Sequence, residues 1–177
     1  MQLYHPNQSN TGSAAGFSVN SKDGKVWVSF VKQVGPKAFK GGKQFNISLG
    51  EAEIAAIIYS YENNLDWSTF HKSAKGDTGI KFSRYLNTKD NNKFVGYTLS
   101  AIPQNQSGDK FGIVFYADKG ELTLFVQYLK FSLDRIFAAD YAEQKKNFKA
   151  SQEKNAENDA VTNQEEASSS TEDENNF

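Results

Sequence analysis

Alternation of apolar and polar residues predicts strands in both halves of the chain. Residues 44–49 place Phe45, Ile47 and Leu49 between polar neighbours, the period-two pattern of a strand with one buried face. Residues 24–32 are rich in β-branched and aromatic side chains and follow a Lys-Asp-Gly turn signal, so they also predict a strand. By the same reasoning, three further strands are predicted over 80–86, 94–102 and 110–117. Their short connections favour antiparallel pairing.

Apolar residues at three- and four-residue steps predict two helices. The first begins at Glu51 and ends near Asn63, and the second begins at Gly120; a Gly-Glu pair opens each of them. Their predicted buried stripes are Ile54, Ile57, Ile58, Tyr61 and Leu65 in the first helix, and Leu122, Phe125, Leu129, Leu133, Ile136 and Phe137 in the second. Strands followed by a helix, twice, predict an α+β fold built from two similar repeats.

The two ends of the chain differ from this body. Residues 1–16 are rich in Asn, Gln, Ser and Gly, which predicts a flexible arm. Residues 149–177 are almost all small, polar or acidic, which predicts a disordered acidic tail. The folded domain is therefore expected over 17–148, with repeats at about 17–66 and 67–148.

Charge is divided unevenly along the chain. The formal net charge is -1, but residues 1–150 hold 19 Lys and Arg against 13 Asp and Glu, whereas residues 151–177 hold one Lys against eight acids. A basic body favours a polyanionic partner, and an acidic tail favours a segment that competes with that partner or recruits another protein.

Few residues in the sequence are suited to catalysis or metal binding. The chain has no Cys and only two His, His5 and His71, so a zinc cluster or a nucleophile paired with His is not expected. The Gly41-Gly42-Lys43 segment lacks the spacing of a phosphate-binding Walker loop. These observations predict a protein that is not an enzyme and needs no cofactor. No run of apolar residues predicts a membrane span, and no secretory or transit signal is visible, so a cytoplasmic location is expected.

Four short segments, at residues 24–29, 45–53, 70–72 and 119–122, together resemble the Whirly family of single-stranded DNA-binding proteins. Residues 24–29 (GKVWVS) resemble that family's Lys-Gly-Lys-Ala-Ala-Leu-Ser strand, and residues 45–53 (FNISLGEAE) resemble its strand leading into the first helix. Residues 70–72 and 119–122 resemble two further landmarks, in the family's order. The resemblance covers roughly residues 17–137.

The resemblance implies two antiparallel four-stranded sheets, each followed by a helix, in a fold related to the coactivator family called positive cofactor four. It also implies an oligomer, a dimer or tetramer, that binds single-stranded DNA. Asp23 stands where the Whirly family has its leading Lys, and Val26 and Trp27 stand at its two Ala positions. With no plant transit peptide visible, a bacterial or bacteriophage member is expected, located in the bacterial or host cytoplasm.

Interleaved cations and aromatic residues predict where a strand would bind. Single-strand binding without sequence choice needs cations for the phosphates and flat side chains on which bases stack. Strand parity places Lys25 and Trp27 on one face, opposite Val26 and Val28, and Lys81 and Tyr85 opposite Phe82. The predicted DNA-binding residues are Lys25, Trp27, Lys32, Lys37, Phe39, Lys40, Lys43, Lys81, Arg84, Tyr85, Lys89, Lys93 and Tyr97.

Alternatives remain for the aromatic residues and for the protein as a whole. Trp27 fits either a DNA contact or a buried core or subunit contact, whereas Phe39 in a Gly-flanked basic loop favours binding. The leading hypothesis is a sequence-tolerant single-stranded DNA-binding protein of replication, recombination or repair. A transcription regulator or RNA-binding protein of the same fold is the alternative, and a structural assembly protein is the alternative of another class.

The acidic tail predicts a partner-binding or self-inhibiting segment. The acidic C-terminal segment of this chain, which ends in Phe177, resembles the terminal peptides through which bacterial and phage single-strand-binding proteins dock replication partners. The predicted partner-binding residues are Glu172, Asp173, Glu174 and Phe177.

Overall fold

A computed structural model describes the backbone of residues 1–74, 76–88, 90, 92–104 and 109–169, and the side chains of these residues up to 154. The chain divides into two compact units, Met1–Ile136 and Phe137–Phe177. The first unit contains every strand and the candidate site.

The first half of this unit forms a four-stranded antiparallel sheet followed by a helix. The strands are β1 (Gln2–His5), β2 (Ser13–Asn20), β3 (Lys25–Lys32) and β4 (Gln44–Gly50), and they pair in sequence order. The helix α1 (Glu51–Glu62) begins directly after β4. Two acids, Glu51 and Glu53, lie in its first turn, where a helix dipole favours negative charge.

The second half repeats this arrangement. The strands are β5 (Trp67–His71), β6 (Thr78–Asn87), β7 (Lys93–Pro103) and β8 (Phe111–Tyr116), again antiparallel and in sequence order, followed by α2 (Glu121–Ser169). Two antiparallel four-stranded sheets, each followed by a helix, confirm the predicted α+β class. β5 was not predicted as a strand, because only five residues form it and alternate residues along it are only partly buried.

Alternation within each strand places one face of each sheet in the core. Along β3, Val26, Val28 and Phe30 are buried, whereas Lys25 and Trp27 are exposed. The predicted parity of this strand is therefore confirmed. β6 shows the same division, because Ile80 and Phe82 are buried and Lys81 is exposed.

Phe125 of α2 lies at the centre of the core and contacts both sheets. Its ring stacks on Phe115 of β8 with ring centroids 3.9 Å apart. It also contacts Phe17 of β2 at 5.4 Å and Phe82 of β6 at 6.0 Å. The first turns of α2 thus hold the two sheets together through one buried aromatic cluster.

Two His–Glu pairs connect the halves in corresponding places. His5, the last residue of β1, pairs through Nε2 with Glu121 Oε1 in the first turn of α2, at 3.0 Å. His71, the last residue of β5, pairs through Nε2 with Glu53 Oε1 in the first turn of α1, at 2.6 Å. In each pair, the first strand of one half contacts the helix of the other, as expected for a fold with two matching repeats. Both histidines are therefore structural.

The predicted flexible arm is corrected by β1 and the first part of β2, which together occupy half of residues 1–16. Leu3, Ala14 and Ala15 are buried, and the backbone N–H of Phe17 donates to the Met1 carbonyl at 2.8 Å. The residues of this segment are mostly small and polar, so apolar side chains alternate along it only weakly. Backbone pairing of β1 with β2, and of β2 with β3, therefore orders it, rather than large apolar side chains.

Two expectations for the second helix also differ from the structure. Phe137, predicted within the buried stripe, is exposed, and the stripe ends at Ile136. The helix continues to Ser169, through most of the tail expected to be disordered from residue 149. Residues 149–169 are rich in Ala, Glu, Gln and Lys, whose high helix propensity favours a helix over this stretch. Glu172, Asp173, Glu174 and Phe177 lie outside the described residues.

Candidate nucleic-acid interface

The outer face of the first sheet carries exposed aromatic, cationic and small polar side chains. Trp27 lies in the middle of this face with 43% of its surface exposed. Its cross-strand neighbours are Ser18 on β2 and Ser48 on β4. Lys25 shares the face two residues away and is exposed. Short neighbours leave the indole uncovered, so its ring is available to a flat ligand.

Two adjoining depressions on this face form one groove, which we call the outer groove. Their volumes are 440 and 420 Å³, and they share Gln2, Gly16 and Ser29. Trp27 lines one depression, and Tyr4, Phe39 and Lys40 line the other. The outer groove therefore has aromatic residues at both ends and a polar middle.

Gly16 forms the floor of the outer groove. It pairs with Gln2 of β1 and Ser29 of β3. A Cβ built at this position would meet no atom within 4 Å. The absence of a side chain at this point opens the space between Trp27 and Tyr4.

The far end of the outer groove is an aromatic pair. Tyr4 is 57% exposed, and its ring meets Phe39 edge-on with centroids 5.8 Å apart. The Tyr4 hydroxyl donates to Gln2 Oε1 at 3.0 Å, which fixes the ring beside the groove. Phe39 is half-buried against Tyr4 rather than free in its loop, so the loop presents a supported aromatic surface with Lys40 beside it.

Lys32 and Lys43, two further predicted DNA-binding residues, form ion pairs with a carboxylate. Asp109 accepts from Lys32 Nζ at 2.8 Å through one oxygen and from Lys43 Nζ through the other. The hydrogen bonds from Lys32 and Lys43 lower the pKa of Asp109 to about 2. The carboxylate is thus ionised at physiological pH, and it neutralises cations expected to meet phosphates.

The outer face of the second sheet carries a smaller aromatic and cationic surface. Tyr85 on β6 and Tyr116 on β8 meet edge-on across Gly96 with ring centroids 6.5 Å apart. The Lys119 ammonium lies 4.2 Å from the centre of the Tyr116 ring, within the range of a cation–π contact. Burial raises the pKa of the Tyr116 phenol, so the ring stays neutral beside the lysine. Lys81 is exposed on the same face, as its parity predicted.

Tyr97 is a predicted DNA-binding residue that the structure places in the core. It is 1% exposed and stacks on Phe82 with centroids 4.5 Å apart. The reason is parity, since Tyr97 shares the buried face of β7 with Leu99 and Ala101. Burial raises the pKa of its phenol. Tyr97 therefore cannot stack on a base.

The remaining predicted residues are spread over the surface. The Arg84 side chain donates from Nε to Asp66 Oδ1 at 3.2 Å, and its backbone N–H donates to the same oxygen at 2.9 Å. This backbone hydrogen bond lowers the pKa of Asp66, and the Arg84 guanidinium lowers it further. Partial burial of the carboxyl acts in the opposite direction but is outweighed. Lys37 and Lys93 are exposed but do not line the outer groove, and Lys89 lies outside the described residues.

Replacing Tyr97 with Phe tests its buried role. Among the described residues, no group forms a hydrogen bond with its buried hydroxyl. An unpaired buried hydroxyl costs about 1–3 kcal/mol of desolvation. We therefore expect Tyr97→Phe to leave the free energy of unfolding in urea unchanged or higher, and to leave nucleic-acid affinity unchanged. If Tyr97→Phe has native stability but a lower nucleic-acid affinity, the burial of Tyr97 away from the interface is contradicted.

Three residues of the interface were missed from the sequence. Tyr4 and Gly16 fell within the segment expected to be a flexible arm, and a lone Gly in a strand carries no signal for a groove. Asp109 lies 66 residues from Lys43 along the chain, so only the packing of the two halves brings them together.

The described part of the chain contains neither a metal-binding cluster nor a membrane-spanning helix. Within them, no three His, Cys, Asp or Glu residues lie close enough together to hold a metal ion. Among the helices in the described part of the chain, none combines the length and apolarity needed to cross a membrane.

The arrangement of two four-stranded sheets and two helices is the fold that the resemblance to Whirly proteins implied. Comparison with solved structures confirms it, because Whirly proteins are among the structures that match. No protein-family model and no curated protein matches the sequence.

Three solved structures illustrate the likeness. The plant transcriptional regulator PBF-2 matches with 16% identity and a TM-score of 0.56, over 82% of this chain and 85% of that one. WHY3 from Arabidopsis thaliana matches with 13% identity and a TM-score of 0.55, over 85% and 95%. The trypanosome MRP1/MRP2 structure matches with 16% identity and a TM-score of 0.53, over 75% and 82%. At these identities the likeness establishes the fold.

Proposed function

We propose that this protein binds single-stranded DNA with little choice of sequence and has no catalytic role. The observation that carries the proposal is the outer groove, which joins exposed Trp27 to the Tyr4–Phe39 pair across an open glycine floor. Every unpaired base has a flat face that can stack on such rings. Lys25 and Lys40 lie where they can meet the phosphates.

The side chains between the two aromatic ends favour tolerance of sequence. Gln2, Ser29 and Asn46 line the groove with short or flexible groups that can donate or accept hydrogen bonds. They can adapt to different base edges, whereas a rigid bidentate fork would select one base. Stacking and charge therefore supply the affinity, and the polar middle accommodates whichever base is present.

We also propose a biological setting for the protein. We place the protein in DNA replication, recombination or repair, acting as a homo-oligomer in the cytoplasm of a bacterium or of a phage-infected cell. A basic body with an acidic tail supports this setting.

The tail is proposed to compete with DNA for the body and to recruit partner proteins. Deleting residues 151–177 should tighten DNA binding at low salt, and unchanged affinity would refute self-inhibition.

Side-by-side binding assays test the proposed function. Fluorescence anisotropy with labelled oligo-dT, the matching RNA and a duplex, each titrated with salt, should show preference for oligo-dT. The logarithm of affinity should fall linearly with the logarithm of salt concentration, by about 0.7 for each phosphate contacted. Preference for RNA or duplex would favour a transcription regulator or RNA-binding protein, and absence of binding at low salt would favour an assembly protein.

A further inference from the structure

We propose that Lys32 and Lys43 form a phosphodiester-binding subsite, which the Asp109 carboxylate occupies in the free protein and leaves when a strand binds. This inference rests on the proposed function and adds a named subsite with a built-in competitor. Lys32 is the last residue of β3 and Lys43 directly precedes β4, both in the first sheet's half, whereas Asp109 precedes β8 of the second sheet.

The geometry of the ion pairs matches the recognition of a phosphodiester. One carboxylate oxygen accepts from Lys32 and the other from Lys43. A phosphodiester likewise offers two charged, non-bridging oxygens on one centre. The lysines are held at neighbouring strand positions, because the Lys32 N–H donates to the Lys43 carbonyl at 3.0 Å. An anion of either kind can therefore bridge the two ammonium groups.

Packing beneath the subsite positions one of its cations. The Lys32 ammonium lies 4.7 Å from the centre of the Phe111 ring, which is buried. Phe111 in turn stacks on Phe45 with centroids 5.2 Å apart. This aromatic support holds Lys32 in place whether or not Asp109 is paired with it, as a binding subsite requires.

The ion pairs are accessible to a competing anion. The side chains of Lys32, Lys43 and Asp109 are 39%, 52% and 28% exposed. Exposed ion pairs contribute little stability in water, so exchanging one anion for another costs little. A nucleic-acid strand offers many phosphates at high local concentration and can displace a single carboxylate.

A neighbouring cleft gives the strand a place to lie. It has a volume of 520 Å³ and is lined by residues of both sheets, including Lys32, Thr98 and Lys110. Lys110 follows Asp109 directly and is exposed. Lys32 and Lys110 thus place two cations along this cleft.

Replacing Asp109 with Asn tests the proposal, because it removes the charge and keeps the shape. Affinity for oligo-dT is expected to rise by about 5- to 10-fold at ~50 mM salt, with the salt slope steeper by about 0.7, the value for one added phosphate contact. The gain should disappear when Lys32→Gln and Lys43→Gln are added. Anisotropy titrations of the full chain over a range of salt concentrations measure both quantities.

The matched control is Glu62→Gln. Glu62 forms an exposed ion pair with Lys130 at 2.6 Å, and its replacement changes the net charge by the same amount at another place. Equal gains from Asp109→Asn and Glu62→Gln would mean a general charge effect and would overturn the subsite. An unchanged or weaker affinity for Asp109→Asn, with normal binding by the native protein, would overturn it also.

Two further readouts keep the outcome decisive. If Asp109→Asn fails to fold by circular dichroism, Lys43→Gln in the native background serves instead, with lower affinity and a shallower salt slope expected. An unchanged slope for Lys43→Gln would overturn the subsite. If the native protein binds no single strand at all, the proposed function itself fails, which is a different result from either of these.

Discussion

Phe125→Ala is expected to destabilise the protein by about 3–5 kcal/mol, the usual cost of removing a fully buried phenylalanine ring. Phe125 is 0% exposed and contacts both sheets and its own helix, so its removal leaves a cavity that neither sheet can fill alone. Equilibrium unfolding in urea, followed by far-ultraviolet circular dichroism, measures the change in the free energy of unfolding.

The control for this substitution lies on the same helix. Phe131 is 54% exposed, and Phe131→Ala should change the free energy of unfolding by less than about 1 kcal/mol. The pair of variants removes the same ring from a buried and an exposed position. Similar effects in both, or a small effect of Phe125→Ala, would contradict the assignment of Phe125 to the centre of the core.

The parts of the fold that follow from local periodicity could be predicted from the sequence. β3, β4 and α1 have strong apolar patterns, and their predicted bounds lie within about two residues of the observed ones. Alternation along a strand also placed Trp27 on the face opposite Val26 and Val28, and Phe82 on the same face as Ile80. These features depend only on neighbours along the chain, so a single sequence contains them.

The features that were missed depend on contacts between distant residues. The ordering of residues 1–16 comes from the pairing of β1 with β2 and of β2 with β3, although their own side chains are mostly small and polar. Tyr97 was assigned to the interface because it lies among cations along the sequence, whereas the parity that it shares with Leu99 places it in the core. The pairing of Asp109 with Lys32 needs the two sheets to meet, which no local pattern specifies. Long-range packing therefore decides which cations face a ligand freely.

Removing the aromatic residues at the two ends of the outer groove is expected to weaken binding of oligo-dT strongly. Base stacking is worth about 1–3 kcal/mol per ring, so Trp27→Ala and Tyr4→Ala should each lower affinity by about 5- to 150-fold. Because each ring is exposed, the free energy of unfolding should change little. Anisotropy titrations at constant salt concentration compare each variant with Tyr59→Ala, which removes an exposed aromatic ring from α1, away from both sheet faces.

A substitution that adds atoms gives the complementary test of the same groove. Gly16→Val places a branched side chain in open space on the groove floor, so the strand should be blocked while β2 keeps its pairing. Gly79→Val makes the same change in β6 of the second sheet, where the nearest atom to an added Cβ lies 4.0 Å away. Loss of affinity with Gly16→Val alone would assign the strand to the outer groove. Equal losses of affinity in Gly16→Val and Gly79→Val would mean that the strand crosses both sheets. Native affinity in all of Gly16→Val, Trp27→Ala and Tyr4→Ala would mean that the strand binds elsewhere.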